Sequence, residues 1–473
     1  MTTDESSTHD RLPSSTLAAG GWPSGGETAL FVVVAAAVFA LVQWLFYAPQ
    51  QPVADAMRYV DYAVNVVTHG VFGLTGRGAS MPTPGMANTP LYPLWVALGM
   101  VIDPELARSL TCIRARGDDC PTSFGFFVGL QGALAVITLA LVFLTARRIG
   151  LGLLGAWLAA AFVLASGELH YYANRFLTEI VMLPLFFGMV LCGLVAWQER
   201  RVRWLFATGV LAGLLVLVRP AYVLLVYAGV AVTIGAALWP WRAAGRQTIL
   251  KGLVLALVGY ALVTGPWLVR NKVELDRFAL TANYTQRALA QRVAYNAMSW
   301  TEVAVAFVYW FPDGGDSIAR KLFDEENYRM LGWDRVSYYR SVAKETYRAA
   351  RRRAGSDDGV LGDLIINGVL RDPVKHAAVS MALAWRGLFI AKYWGVAGFA
   401  AFIFAAVHTL RRRNRPLVLT SLPAWFMVAA HAGASVSIAR YNLPLMSVFG
   451  LAMAYVVDIL ARRWMSTGSR PRH

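Results

Sequence analysis

The sequence predicts an all-α integral membrane protein of about ten transmembrane helices, with an amphipathic first external loop and one external helical domain. Three observations carry this reading. Of 473 residues, 57% are hydrophobic and only 15% charged, and mean hydropathy is +0.48; soluble domains carry nearer a quarter charged residues, roughly. Apolar stretches of about 20 residues, long enough to cross a bilayer, recur along the chain. Basic residues punctuate alternate connections between those stretches, the pattern of loops kept on the cytosolic side.

Taken in order, residues 1–27 are rich in Ser, Thr and Gly and include Asp4, Glu5 and Asp10. They lack a basic start followed by a cleavable apolar core, so a disordered cytosolic tail is expected. Spans are expected near 28–48, 124–146, 151–167, 177–197, 204–218, 220–239, 250–269, 386–410, 417–434 and 441–460. Two of them, 151–167 and 204–218, are short and read as tilted or partial crossings. The basic groups Arg147 and Arg148, then Arg200, Arg201 and Arg203, then Arg242, Arg246 and Lys251 fall on one side. So do Arg411, Arg412, Arg413 and Arg415, and finally Arg462, Arg463, Arg470 and Arg472. An even number of crossings then puts both termini in the cytosol.

The apolar stretch 303–311 is too short to cross and follows Glu302, so an interfacial helix is expected there. Residues 271–385 become one external segment, with a polar helix at 338–353. The chain thus divides into the tail 1–27, an N-terminal membrane catalytic module 28–270 whose first external loop is 49–123, the external segment 271–385, C-terminal transmembrane helices 386–461 and a cytosolic tail 462–473. No repeat of 20–50 residues is visible, so a symmetric repeat architecture is not supported.

The net charge of +16 raises nucleic acid as a partner, but the apolar content and the alternating placement of the charges argue against it. Of three cysteines, Cys192 sits in an apolar run as a packing residue. Cys112 and Cys120 bracket a short polar loop without a neighbouring His or further Cys. A disulfide suits that pair better than zinc, provided the loop faces an oxidising compartment.

The polar and unusual residues gather in the outward loops. In the first, Val53, Met57, Val60, Val64 and Val67 share one helical face, and Asp55, Arg58, Tyr59, Tyr62 and His69 the other. An amphipathic helix on the membrane surface is expected, holding Asp55 up on its polar side. In the second, Glu168, Tyr172, Arg175 and Glu179 fall on one face if the stretch is helical. They read either as a polar cleft wall or as a structural Arg175–Glu179 pair. Three arginines stand at external helix ends: Arg219 before Pro220, Arg270 near Trp267, and Arg440 beside Tyr441. With Lys392 they suggest a phosphate-binding ring, although each could equally satisfy a helix end or snorkel.

The order of these features resembles polytopic glycosyltransferases that use polyprenyl-phosphate sugars. The carrying residues are Asp55 on an amphipathic helix, G-V-F-G at 70–73, PLYPLW at 90–95, NRFLTE at 174–179, LLVLVRP at 214–220, GPWLVRN at 265–271 and ARYNLP at 439–444. The group includes protein O-mannosyltransferases and bacterial aminoarabinose and galacturonic acid transferases of lipid A. The resemblance covers roughly 28–300 and 385–460, and its specificity lies in the ordered set. It implies that Asp55 is the catalytic carboxylate. The family's first loop often carries Asp-Glu where this chain has Asp55-Ala56, so one carboxylate is available rather than two.

One carboxylate suits such a reaction. A lipid phosphate leaves without needing a proton, only charge neutralisation, which arginines supply. Asp55 can then act as base on an acceptor hydroxyl, or orient an acceptor that is already an anion. Single displacement inverts the anomeric centre, unlike the two-carboxylate retaining route. The expected site is Asp55 with Arg58 and Tyr59 beside it, Arg219, Arg270 and Arg440 on the phosphate, and Glu168, His170, Arg175 and Glu179 lining the cleft. No cofactor is expected, though a divalent metal could bind through Asp55, Glu168 and His170. The expected partners are a polyprenyl-phosphate sugar donor, a lipid, glycan or protein acceptor, and membrane lipids, with the site on the external face of a plasma membrane. The rival readings are a transporter or lipid flippase, which would place ionisable residues at mid-membrane, and an envelope scaffold.

Overall fold

Long apolar runs leave the backbone no partner but itself inside a bilayer, so they close into helices. The computed structural model describes residues 21–76, 79–117, 119–238, 246–282, 284–412 and 415–468. The expected tail up to residue 20, and Arg242, Arg413, Arg470 and Arg472, lie outside the described residues. The fold is all-α apart from one small hairpin. In chain order come α1 (Gly25–Phe46), α2 (Asp55–His69), the strands β1 (Gly73–Thr75) and β2 (Pro82–Pro84), α3 (Leu91–Ile102), α4 (Pro104–Ala115), α5 (Gly125–Arg148), α6 (Leu153–Ala165), α7 (Glu168–Ala173), α8 (Glu179–Glu199) and α9 (Arg203–Val218). Then follow α10 (Val223–Leu238), α11 (Arg246–Leu275), α12 (Tyr284–Ala294), α13 (Trp300–Tyr309), α14 (Gly315–Leu322), α15 (Ala343–Ala354), α16 (Val360–Asp363), α17 (Pro373–Leu388), α18 (Tyr393–Arg411), α19 (Pro416–Ala434) and α20 (Leu445–Gly468).

Among the described residues eight helices are long and apolar enough to cross a membrane: α1, α5, α8, α10 with its leading turn, α11, α18, α19 and α20. The two stretches expected to be short, α6 and α9, are shorter apolar helices of 13 and 16 residues. Packing explains how α9 keeps its place. A Cβ on Gly209 would lie 1.9 Å from the Ala256 carbonyl oxygen, and one on Gly259 2.5 Å from that of Phe206, so α9 and α11 meet backbone to backbone. The span expected at 386–410 is corrected: the helix breaks after Leu388 and restarts at Tyr393, with Ala391 and Lys392 both at positive φ. The polar helix expected at 338–353 opens with a π-turn, Tyr338–Val342, before α15.

One side of α2 packs on protein. The buried side of α2 is Ala56, Val60, Tyr62, Ala63, Val64 and Asn65. Val53 is 62% exposed and Val67 38%, and Tyr62, placed on the polar face by the wheel, is buried. Neighbouring elements shift that face: the Tyr62 hydroxyl accepts from the Ala87 N–H at 3.2 Å, and Asn65 donates to the Gly73 carbonyl at 2.8 Å. In the hairpin Gly73 pairs with Pro84, and a Cβ there would sit 1.8 Å from the Thr83 oxygen, so only glycine fits. Cys112 and Cys120 form the expected disulfide, and Cys192 is free.

In the 271–385 segment α13 is ten residues, about 15 Å, half of what a crossing needs. Ser299 and Glu302 form its capping box. The Glu302 carboxylate, buried, accepts from the Tyr338 hydroxyl at 2.9 Å.

Candidate functional site

Glu179 opens α8 and is fully buried. A buried carboxylate costs several kcal/mol, roughly, unless it is paired and hydrogen-bonded. Glu179 is paired twice. Arg219 Nη1 donates to its Oε1 at 3.1 Å, and Arg440 Nε donates to the same oxygen at 2.5 Å. Arg440 Nη2 reaches Oε2 at 3.4 Å. Burial works against the charge of both guanidiniums, but the Glu179 carboxylate outweighs it and holds both above their ordinary pKa.

Local structure delivers each group. Arg219 ends α9 in extended conformation just before Pro220, which cannot continue the helical hydrogen bonding, so its side chain leaves the helix line. Arg440 lies in the single turn Ala439–Asn442 between α19 and α20. Asn442 pins that turn: its Oδ1 accepts from His431 Nδ1 at 3.0 Å. Asn442 also donates to the Gly387 carbonyl at 3.1 Å and to Ser437 Oγ at 2.9 Å. Gln131, buried on α5, holds the strand of chain ahead of Glu179: it donates to the Ala173 and Arg175 carbonyls at 2.8 and 3.1 Å and accepts from Tyr92.

Asp55 is the exposed counterpart of Glu179. It is the first residue of α2, its side chain is 70% exposed, and its Oδ2 lies 3.7 Å from Arg440 Nη1. Ala54 before it has φ +50°, an uncommon conformation for a residue with a Cβ, and such strain recurs at functional sites. Tyr59, one turn further on, is half-buried, edge-on against Tyr92, with centroids 5.1 Å apart. Burial and the Glu179 charge push its phenol up to about 12, so it stays a neutral donor.

The segment 271–385 completes the surroundings. The Tyr339 phenol is raised by burial and then by the Asp55 carboxylate, and Tyr284 stands near Tyr59, Arg219 and Tyr441. Arg219 also stacks over the Tyr441 ring at 4.8 Å. Charges at the centre balance in a useful way. Arg219 and Arg440 less Glu179 leave one positive charge, and Asp55 stands beside it.

The structure therefore brings together Asp55, Tyr59, Glu179, Arg219 and Arg440 from sites far apart in sequence. It does not bring Arg270 into that ion cluster. Arg270 donates to the Gly85 and Phe72 carbonyls, both at 2.9 Å, and clamps the first-loop hairpin to α11, so the three-arginine ring is corrected to two. Lys392, expected beside that ring, pairs with Asp313 at 2.6 Å. Arg175 stacks over Tyr171 at 4.1 Å and is not the partner of Glu179, because α7 stops at Ala173 and the face expected to run on to Glu179 is interrupted. His170 is buried between Phe39 and Tyr47 instead of lining a cleft, with Nδ1 2.9 Å from Gln43 Oε1, and burial lowers it to about 4. Glu168, half-buried, accepts from the Ala391 N–H; burial raises it to about 7. Arg58 is exposed, near Asp61 and Tyr62. Among the described residues no three His, Cys, Asp or Glu side chains lie close enough to hold a metal ion, so the set Asp55, Glu168 and His170 is not assembled.

No protein-family model and no curated protein matches the chain. Among solved structures it is similar to ArnT from Cupriavidus metallidurans bound to undecaprenyl phosphate. The two are 16% identical over 92% of this chain and 78% of that one, with a TM-score of 0.41. Against the same protein in the apo state the identity is 15%, over 91% and 77%, with a TM-score of 0.35.

Sequence reasoning missed Tyr284, Tyr339, Gln131 and Asn442. The two tyrosines carry no signal before the fold is known. Asn442 had one, as the polar residue inside ARYNLP.

Proposed function

We propose that this chain is a membrane glycosyltransferase that takes a sugar from a polyprenyl-phosphate carrier. The observation that supports it most is the exposed Asp55 carboxylate 3.7 Å from Arg440, whose guanidinium shares the buried Glu179 with Arg219. A phosphodiester-linked sugar carries one negative charge and gains another as its lipid phosphate leaves. Two guanidiniums preorganised on one buried carboxylate carry a net single positive charge to meet it, without reorganising during the reaction. Asp55 then takes the acceptor proton, or orients an acceptor that is already anionic, and attack from that side inverts the anomeric carbon. The acceptor is a lipid, glycan or protein, and the cluster works on the external side of a plasma membrane, opposite the basic loops.

The reading is tested by offering purified protein a panel of lipid-phosphate sugars and measuring release of free polyprenyl phosphate. Release on at least one donor supports it. Donor binding without release would show that the acceptor is needed, and adding acceptor candidates should then start turnover. Neither binding nor release across the panel would replace it with the transporter reading.

A further inference from the structure

A second cavity lies at the other end of the bundle. It has a volume of about 660 Å³ and runs between α8, α9, α10 and α11, closed on one side by Leu419 and Pro423 of α19. Its walls are apolar, with Thr208, Thr233 and Thr248 among the few polar groups, and Arg200 is the one charged residue lining it. Arg200 directly follows Glu199, the last residue of α8, and Glu179 is the first, so about 30 Å of helix separates this cavity's mouth from the ion cluster. The cavity is therefore not part of the Asp55 site.

Its dimensions and charge select an occupant. Along α8 the lining runs from Met189 to Arg200, about 16 Å at 1.5 Å per residue. That is one leaflet's share of a hydrocarbon core about 30 Å thick. The volume falls in the range of ligand pockets. Among the described residues Arg200 has no ion pair, hydrogen bond or ring contact, whereas its neighbour Arg201 lies 3.9 Å from Glu199. Arg203, Arg246 and Lys251 are exposed at the same end of the bundle. An apolar slot one leaflet deep, opening at a basic rim with an uncommitted guanidinium, matches a lipid whose headgroup is an anion.

We infer that this cavity binds an anionic glycerophospholipid from the leaflet on the Arg200 side. An acyl chain lies between α8, α9, α10 and α11, and the phosphate rests on Arg200. The site is independent of the glycosyltransferase reading.

Two glycines make the test clean. Gly193 and Gly229 both line the cavity, and a Cβ built on either meets nothing within 4 Å. A Cβ has open space at both positions, leucine adds bulk to the cavity lining there, and replacing a helical glycine favours the helix. The delipidated full-length protein is titrated with dioleoyl phosphatidylglycerol or dioleoyl phosphatidylcholine and bound lipid is counted by native mass spectrometry. Wild type should retain one phosphatidylglycerol in preference to phosphatidylcholine. Arg200→Gln should weaken that binding about five-fold, the equivalent of ~1 kcal/mol for one basic group near an anionic headgroup. Gly193→Leu with Gly229→Leu should abolish it while the thermal melt stays at or above wild type. Equal retention of both lipids, or undiminished phosphatidylglycerol in the glycine double variant, overturns the assignment and leaves only lipid around the outer surface.

Discussion

Arg440 donates through Nε to the buried Glu179 carboxylate at 2.5 Å although 261 residues separate them. That bond ties the last two apolar helices to the end of α8 and holds one guanidinium at the Asp55 carboxylate. On the proposed reading Glu179 is a positioning residue, and Asp55 is the group that meets the acceptor.

Removing the Glu179 charge leaves two half-buried guanidiniums facing each other. Glu179→Gln should cost about 3–5 kcal/mol of stability, the range for breaking one side of a buried ion pair. Denaturant unfolding in detergent measures it. Glu179→Asp keeps the charge at shorter reach and should recover part of the loss.

Lysine cannot replace either arginine. Arg440 uses Nε and Nη2 on Glu179 and turns Nη1 to Asp55, a fork that a single ammonium cannot reproduce. Arg440→Lys should raise the KM for donor at least ten-fold, read from initial rates. Arg270→Lys should act through the hairpin it clamps and lower thermal stability instead, since Arg270 bonds Gly85 and Phe72.

How far this was legible follows from range. Hydropathy marked ten apolar segments, and eight long and two shorter apolar helices occupy them, because span formation depends only on local composition. The break at 389–392 escaped, since Ala391 and Lys392 look apolar and amphipathic but adopt positive φ. Asp55 stood out on its helix. The partner of Glu179 did not. Helical spacing proposes Arg175, four residues before it, and cannot propose Arg219 or Arg440, which arrive by tertiary packing. The same limit applies to Tyr284 and Tyr339.

Protonation of Glu168 should register in stability. Its folded pKa, about 7, is above its ordinary value, so between roughly pH 4.5 and 7 the folded chain binds a proton that the unfolded chain has released. The contribution is complete below that window and is lost as pH rises through it. Tm measured from pH 5 to 8 should fall more in wild type than in Glu168→Gln. A Glu168→Gln profile parallel to wild type would remove this residue from the account. His170, lowered to about 4, works in the opposite direction: its contribution is present above its ordinary pKa and is lost as pH falls toward 4.

Closing the loop between Cys112 and Cys120 should contribute about 2–3 kcal/mol on the chain-entropy account. Cys112→Ser should lower the unfolding free energy by that amount, measured by denaturant titration. Polyprenyl phosphate release should persist, because the disulfide joins the last turn of α4 to the loop after it and no residue of the ion cluster comes from either.

The most direct test compares wild type with Asp55→Asn in single-turnover release of polyprenyl phosphate at saturating donor and acceptor. The amide keeps the shape and loses the base. The account predicts donor binding near wild type and a release rate lower by about 10²–10⁴-fold, the usual contribution of a positioned base. Release at the wild-type rate would contradict the catalytic role of Asp55.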